Sequence, residues 1–194
     1  MRYLVLVIFL MGCGRGSGTE PAIGTGALAG DWVADCQDFG GLVLEVELAI
    51  GGSTYVQTIS RFEDTGCAQK LYDVQTSHTI AVPQVSEAYA DTFEVNLAVI
   101  ETTATAMATE TANSFSAQSV CDIATWNVGT SVDITDAEAG CFEGDLPVAV
   151  GTKTFTIMRP IDGELSIGQN SSINTGESEA TRHIEFAPAI YRRQ

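Results

Sequence analysis

Two histidines and a short Asp-Thr-Gly sequence are the residues of this chain that most resemble parts of a catalytic site. A hydrolytic triad needs a nucleophile, a base and an orienting acid in contact. Neither His78 nor His183 has a recognisable neighbouring motif, and the sequence contains no G-x-S-x-G. We therefore expect both histidines to be structural or surface residues.

The carboxylates give no better support for catalysis. Aspartic proteases need two facing aspartates, and Asp64-Thr65-Gly66 has no second copy in the sequence, so its residue types predict a turn. Glu45 and Glu47 lie two residues apart, which places them on one strand face that we expect to be solvated. The sequence therefore predicts no catalytic residue, and we expect the protein not to be an enzyme.

The N-terminal residues have the order of an export signal. Met1 and Arg2 form a basic start, an apolar run continues to Met11, and Gly12-Cys13 follows. This run is shorter than the roughly 20 residues that a membrane-spanning helix requires. The sequence therefore predicts a segment that directs export and is then removed.

Leu10-Met11-Gly12-Cys13 resembles the lipobox of bacterial lipoproteins. This resemblance implies a signal peptide at 1–12, a lipid on Cys13, a flexible Gly-rich tether over 13–28, and a folded domain at 29–194. It also implies attachment to the cell envelope, and Gly14, in place of the Asp of inner-membrane retention, favours the outer membrane. The alternative is an ordinary secretory signal followed by a chance cysteine.

The other four cysteines, Cys36, Cys67, Cys121 and Cys141, form an even set. In an exported chain such a set predicts two disulfides. Of the three possible pairings we favour Cys36–Cys67 and Cys121–Cys141, because each joins neighbours along the chain. A zinc site is the alternative, but the sequence has no C-x-x-C and no ligand-spaced histidines. We expect no metal and no cofactor.

The charge of the chain is strongly unbalanced, with 25 acidic residues against 9 basic ones and a net charge of -16. Nucleic-acid binding depends on Lys and Arg that neutralise phosphates, so DNA and RNA are excluded as partners. Anionic lipid would be repelled as well, so membrane attachment must come from the lipid anchor. A basic envelope protein is the kind of partner that this charge would attract.

Hydrophobic residues alternate with polar ones through most of the chain after residue 28. In 42–50, Leu44, Val46 and Leu48 face one side and the glutamates face the other. Strands are predicted at 42–50, 54–62, 71–82, 92–100, 126–134, 153–159, 164–167 and 190–192, with 101–109 continuing or returning the fourth of these and one short helix at 110–120. This predicts an all-β, antiparallel fold of eight or nine strands, either a barrel or a sandwich.

Gly30-Asp31-Trp32 at the start of the first strand resembles the G-x-W motif of lipocalins. That family implies an eight-stranded, lipocalin-like barrel whose closed end is covered by Trp32, with Arg182 or Arg192 over the indole. The later landmarks Phe62-x-Asp64-x-x-Cys67, Cys121…Trp126 and Cys141 resemble those of uncharacterised bacterial lipoproteins with such barrels.

The barrel interior is the remaining functional candidate. The alternation predicts that nine hydrophobic side chains point into the barrel, where they are candidates for lining a ligand cavity. They are Leu44, Val46, Leu48, Phe93, Val95, Leu97, Val99, Phe155 and Ile157. Barrels of eight strands either fill with side chains or hold one small ligand. We expect a lipid-anchored envelope protein whose barrel binds a small hydrophobic ligand. The alternative is a non-enzymatic interaction protein with a packed barrel and an acidic surface for a partner.

Overall fold

The structure, a computed structural model, describes residues 25–81, 83–142 and 146–194. The predicted signal peptide, Cys13 and the tether as far as residue 24 lie outside the described residues. The strands are β1 (Gly30–Asp38), β2 (Val43–Gly51), β3 (Thr54–Phe62), β4 (Lys70–Ile80), β5 (Gln84–Val85), β6 (Phe93–Ala106), β7 (Ser131–Asp133), β8 (Lys153–Ile161), β9 (Glu164–Gln169) and β10 (Glu185–Arg193), and the helix α1 is Thr109–Gln118.

Eight of these strands form a closed antiparallel barrel. Neighbouring strands follow the order β4-β3-β2-β1-β10-β9-β8-β6, and pairing between β4 and β6 closes the ring. Two further strands, β5 and β7, pair with β6. This confirms the prediction of an all-β barrel with at most one short helix, and the architecture is compatible with a lipocalin-like barrel.

The long strand β6 makes the closure possible. Its 14 residues pair with β4 over most of their length, while β8 occupies the first half of its other edge and β7 the second half. Ser77 pairs with Glu101 and His78 with Val99, so Ile100 is an extra residue in β6. Such a bulge bends a strand, as a closed sheet requires.

The two ends of the barrel differ. At the closed end, which contains Trp32, buried hydrophobic side chains of β1, β2, β6, β8 and β9 form one cluster. At the opposite end, which we call the mouth, α1 and the segment that follows it pack against β4 and β6. There the rings of Tyr72, Phe115, Trp126 and Phe142 lie 5.2 to 5.9 Å apart. The segment after β6 therefore covers the mouth with aromatic side chains.

Two disulfides hold these parts in place and confirm the favoured pairing. Cys36–Cys67 joins β1 to the loop between β3 and β4, with 6.1 Å between the Cα atoms. Cys121–Cys141 lies in the segment that covers the mouth, with 5.0 Å between the Cα atoms. Both separations are usual for disulfides.

Several predicted element bounds differ from the observed ones. The predicted strand 126–134 is reduced to Ser131–Asp133, because Trp126 turns into the aromatic cluster and residues 127–130 form a turn. The predicted strand 190–192 extends over Glu185–Arg193. Residues 101–106 continue β6 and do not return along it. Among the described residues, no helix is long and apolar enough to cross a membrane.

Candidate functional site

Inward side chains of β2, β3, β4 and β6 form successive layers along the barrel, because cross-strand partners share a face. Nearest the mouth, Leu44 lies opposite Arg61, and Arg61 opposite Tyr72. The next layer, which we call the apolar row, is Val46, Ile59, Val74 and Ala104. Below it is the polar row, Gln57, Thr76 and Thr102, with Leu48 beside it. Ile50, Tyr55, His78 and Val99 follow, towards the closed end.

An apolar pocket opens at the mouth, above the polar row. It has a volume of about 130 Å³ and a lining that is almost entirely hydrocarbon. The residues around it are Leu42, Leu44, Ile59, Tyr72, Val74, Phe142 and Leu146. Strands β2, β3 and β4 provide its walls, and Phe142 and Leu146 line it from outside these strands. This pocket is the candidate functional site.

The predicted cavity-lining residues divide between the pocket and the packed core. Leu44 lines the pocket. Val46, Leu48, Phe93, Val95 and Leu97 belong to the cluster at the closed end, and Val99 is buried opposite His78. Most of the predicted lining residues therefore fill the barrel and do not surround a cavity.

The predicted inward positions of Phe155 and Ile157 are corrected by the register of β8. Val95 pairs with Thr156 and Leu97 with Thr154, which places these two threonines on the inward face. Phe155 and Ile157 pair with Asn96 and Glu94 and so lie on the outer face. Ile157 is nevertheless only 1% exposed. Because both faces of this strand carry hydrophobic residues, the sequence pattern alone could not show which face points into the barrel.

At the closed end, Trp32 is 1% exposed and its indole N–H donates to the carbonyl of Leu28 at 2.9 Å. The guanidinium that covers the indole belongs to Arg193, 4.6 Å from the ring centroid. Arg193 also donates to the carbonyl of Ala29 at 3.0 Å. Gly30 has φ of 137°, and a Cβ there would be 3.4 Å from the Arg193 side chain. The positive φ, and not a lack of space beside Arg193, therefore favours glycine here.

The predicted covering residues Arg182 and Arg192 have other contacts. Arg192 is adjacent to Arg193 and so points to the outer face, where it pairs with Asp35 and Glu164. Arg182 donates to the carbonyls of Val95 and Thr156 at 3.1 and 3.0 Å, and it pairs with Glu94. Both assignments to Trp32 were therefore wrong.

Tyr55 and His78 form a polar pair inside the barrel. Their rings meet edge to face with centroids 5.3 Å apart, and both residues are buried. Burial raises the pKa of the Tyr55 hydroxyl above its usual range, and Tyr191 adds to this effect. Burial lowers the pKa of His78, and this outweighs the opposing effect of backbone groups of Tyr55 and Thr76. His78 is therefore a neutral imidazole at neutral pH.

The other residues considered for catalysis have separate partners. His183 is in the connection between β9 and β10, with its Nδ1 3.2 Å from the hydroxyl of Thr156. Asp64 accepts hydrogen bonds from the backbone N–H groups of Gly66, Ala68 and Gln69, and these bonds lower its pKa. The Asp-Thr-Gly sequence therefore shapes the β3–β4 loop, as its turn residues predict.

The outer face of the sheet has two larger depressions, of about 250 and 230 Å³. They share Thr58 and Gln75, whose side chains are hydrogen-bonded at 3.2 Å. Carboxylates are present in both: Asp31 and Glu47 line the first depression and Asp73 the second. These depressions are polar, in contrast to the pocket at the mouth.

Sequence reasoning missed most of the pocket. Ile59, Tyr72 and Val74 lie in strands that were predicted, and their alternation would have indicated an inward face. Phe142 and Leu146 have no comparable signal, since neither residue belongs to a helix or a strand. Their place over the mouth comes from tertiary packing.

No protein-family model matches this chain, and a comparison with curated proteins finds no matching sequence. The fold and the site define the protein as a closed eight-stranded antiparallel barrel with a small apolar pocket at its mouth.

Replacing Arg193 with Ala should lower the free energy of unfolding by about 1–2 kcal/mol, because the cation–π contact with Trp32 and hydrogen bonds to two carbonyls are lost. Arg192→Ala is the control, with a smaller effect, since its ion pairs are exposed. Urea unfolding of the two variants measures this. A larger loss for Arg192→Ala would contradict the assignment.

The lowered pKa of His78 makes stability depend on pH. The unfolded chain takes up a proton at this histidine as the pH falls below about 6.5, whereas the folded chain resists it. His78 therefore contributes stability that is present above about pH 6.5 and is lost progressively as the pH falls below that value. Urea unfolding across this range should give a flatter profile for His78→Phe than for the wild type. Identical slopes would show that His78 has no part in the dependence.

Proposed function

We propose that this protein is a lipid-anchored envelope protein that binds a small hydrophobic ligand in the mouth of its barrel. The observation that supports this most directly is the apolar pocket between Leu44, Val74 and Phe142, which opens at the mouth of an otherwise packed barrel. A barrel fold of this kind can hold one small ligand. The proposed role is binding, without catalysis.

The size of the pocket limits the ligand. Sites for drug-sized molecules have volumes of about 300–1,000 Å³. The pocket, at about 130 Å³, is closer to an engineered cavity of about 150 Å³ that binds benzene or xenon. The proposed ligand therefore places one ring or the end of one alkyl chain in the barrel.

The point at which the chain enters the barrel bears on how an anchored barrel would be attached to a membrane. Leu28 packs in the closed-end cluster, so the described chain enters the barrel at the end opposite the pocket. The tether predicted at 13–28 would reach roughly 20 Å as a flexible chain. An anchored barrel would thus be attached at its closed end, which leaves the mouth free to meet ligands.

Ethylbenzene is a suitable probe for the pocket, and isothermal titration of the purified chain measures its binding. We expect saturable binding to the wild type and at least tenfold weaker binding to Leu42→Trp, because the larger side chain fills the pocket rim. Ile173→Trp is the matched control: Ile173 is 78% exposed and outside the pocket, so binding should be unchanged.

Equal loss of binding in both tryptophan variants would place the probe elsewhere, and no binding to the wild type would overturn the ligand proposal. In the latter case the acidic outer face becomes the better candidate, with a basic partner protein. Burial and repulsion from Glu47 raise the pKa of Glu45, and this outweighs the opposing effect of Lys70, so a further cation on this face would relieve like-charge repulsion. Salt-sensitive binding of polylysine would support that role.

The proposed anchor depends on the thiol of Cys13. Radioactive palmitate should label the wild-type chain in a bacterium that processes lipoproteins, and Cys13→Ala should abolish the label. A Cys36→Ser/Cys67→Ser variant is the control, since it removes two other cysteines and should keep the label. Equal labelling of Cys13→Ala and the wild type would exclude the anchor.

A further inference from the structure

We infer that the ligand of the mouth pocket is an uncharged amphiphile, an alcohol or a carbonyl compound, whose polar atom hydrogen-bonds to the polar row of Gln57, Thr76 and Thr102. This inference rests on the proposed binding function and adds the chemical class of the ligand. Its apolar part occupies the pocket, and its polar atom points towards the closed end.

The polar row lies directly below the pocket. Ile59 and Val74 line the pocket, and Gln57 and Thr76 are the next inward residues of the same two strands. Two residues of a strand span about 7 Å. A group attached to a ring that occupies the pocket would therefore reach the layer of the polar row.

The hydroxyl group of Thr102 is not needed to fill the barrel. The hydroxyl oxygen of Thr102 is buried and has no hydrogen-bond partner among the described residues, and the same is true of the Nδ1 atom of His78 in the layer below. Burying a polar group without a partner costs about 1–3 kcal/mol. Valine would have the shape of threonine without this cost, so the hydroxyl of Thr102 is better explained by a ligand than by packing.

Gln57 is the least buried residue of the polar row. It lies on the inward face, between the buried residues Leu48 and Thr76, yet it is only half-buried. Part of its side chain is therefore still accessible, and its amide can donate to or accept from a ligand atom. Thr102, which lies opposite Thr76, completes the same layer from β6.

The row indicates a neutral ligand, since it contains amide and hydroxyl groups and no charged side chain. In the layer below, Tyr55 and His78 are buried and uncharged at neutral pH. A carboxylate or an ammonium group would lose its hydration there without gaining an opposite charge. An alcohol or a carbonyl would exchange its hydrogen bonds with water for bonds to the row.

Benzyl alcohol, ethylbenzene and benzoate distinguish these ligand classes, since they share a ring and differ in the attached group. Isothermal titration of the wild type at neutral pH should show benzyl alcohol binding about tenfold more tightly than ethylbenzene, and benzoate binding most weakly. Thr102→Val and Gln57→Leu should remove the preference for the alcohol and leave the affinity for ethylbenzene unchanged. A merely structural role for these side chains would not change this ratio.

Two outward residues are matched controls: Thr103→Val, next to Thr102 on β6, and Gln75→Leu on β4, which lies opposite Thr58 on the outer face. Both should keep the preference for the alcohol. Thermal unfolding of Thr102→Val should show an unchanged or raised Tm, since an unpartnered hydroxyl is removed.

The outcomes separate the two proposals. Equal affinity of the wild type for benzyl alcohol and ethylbenzene would overturn the inference and leave the hydrophobic pocket in place. Tightest binding of benzoate would overturn the neutral ligand class. If none of the three probes binds, both the inference and the proposed function are wrong.

Discussion

Closure of the sheet by pairing between β4 and β6 is the constraint on which the rest of this structure depends. A closed barrel of eight strands fixes the volume that inward side chains must fill. Each inward position is therefore either packed, as around Val95 and Leu165, or open, as between Leu44 and Val74. In an open sheet the same residues would not enclose a lumen.

The lumen changes in character from one end to the other. Trp32 and its neighbours fill the closed end, and Arg193 covers the indole from outside the cluster. The mouth has an apolar pocket beneath an aromatic cluster. The polar row lies between this pocket and the closed end. A barrel that had to be stable alone would be apolar throughout, because buried polar groups without partners are unfavourable. The polar layer is thus the feature that the fold itself does not require.

Much of the fold could be predicted from the sequence, because alternation in segments such as 42–50 reports directly on strand faces. The site could be predicted less well, since a face assignment changes completely with a shift of one residue. That is why Arg192 was chosen where Arg193 covers Trp32, and why Phe155 and Ile157 were placed inward. Phe142 reaches the pocket through tertiary contacts and a disulfide neighbour, which no local pattern reports.

Diffraction from a crystal of the folded domain under xenon pressure tests the central claim most directly. Xenon binds in apolar cavities of about this volume. The account predicts a xenon atom inside a closed barrel, between Leu44, Val74 and Phe142. A barrel whose mouth is filled by side chains at that position and takes up no xenon would contradict it, as would a sheet left open between β4 and β6.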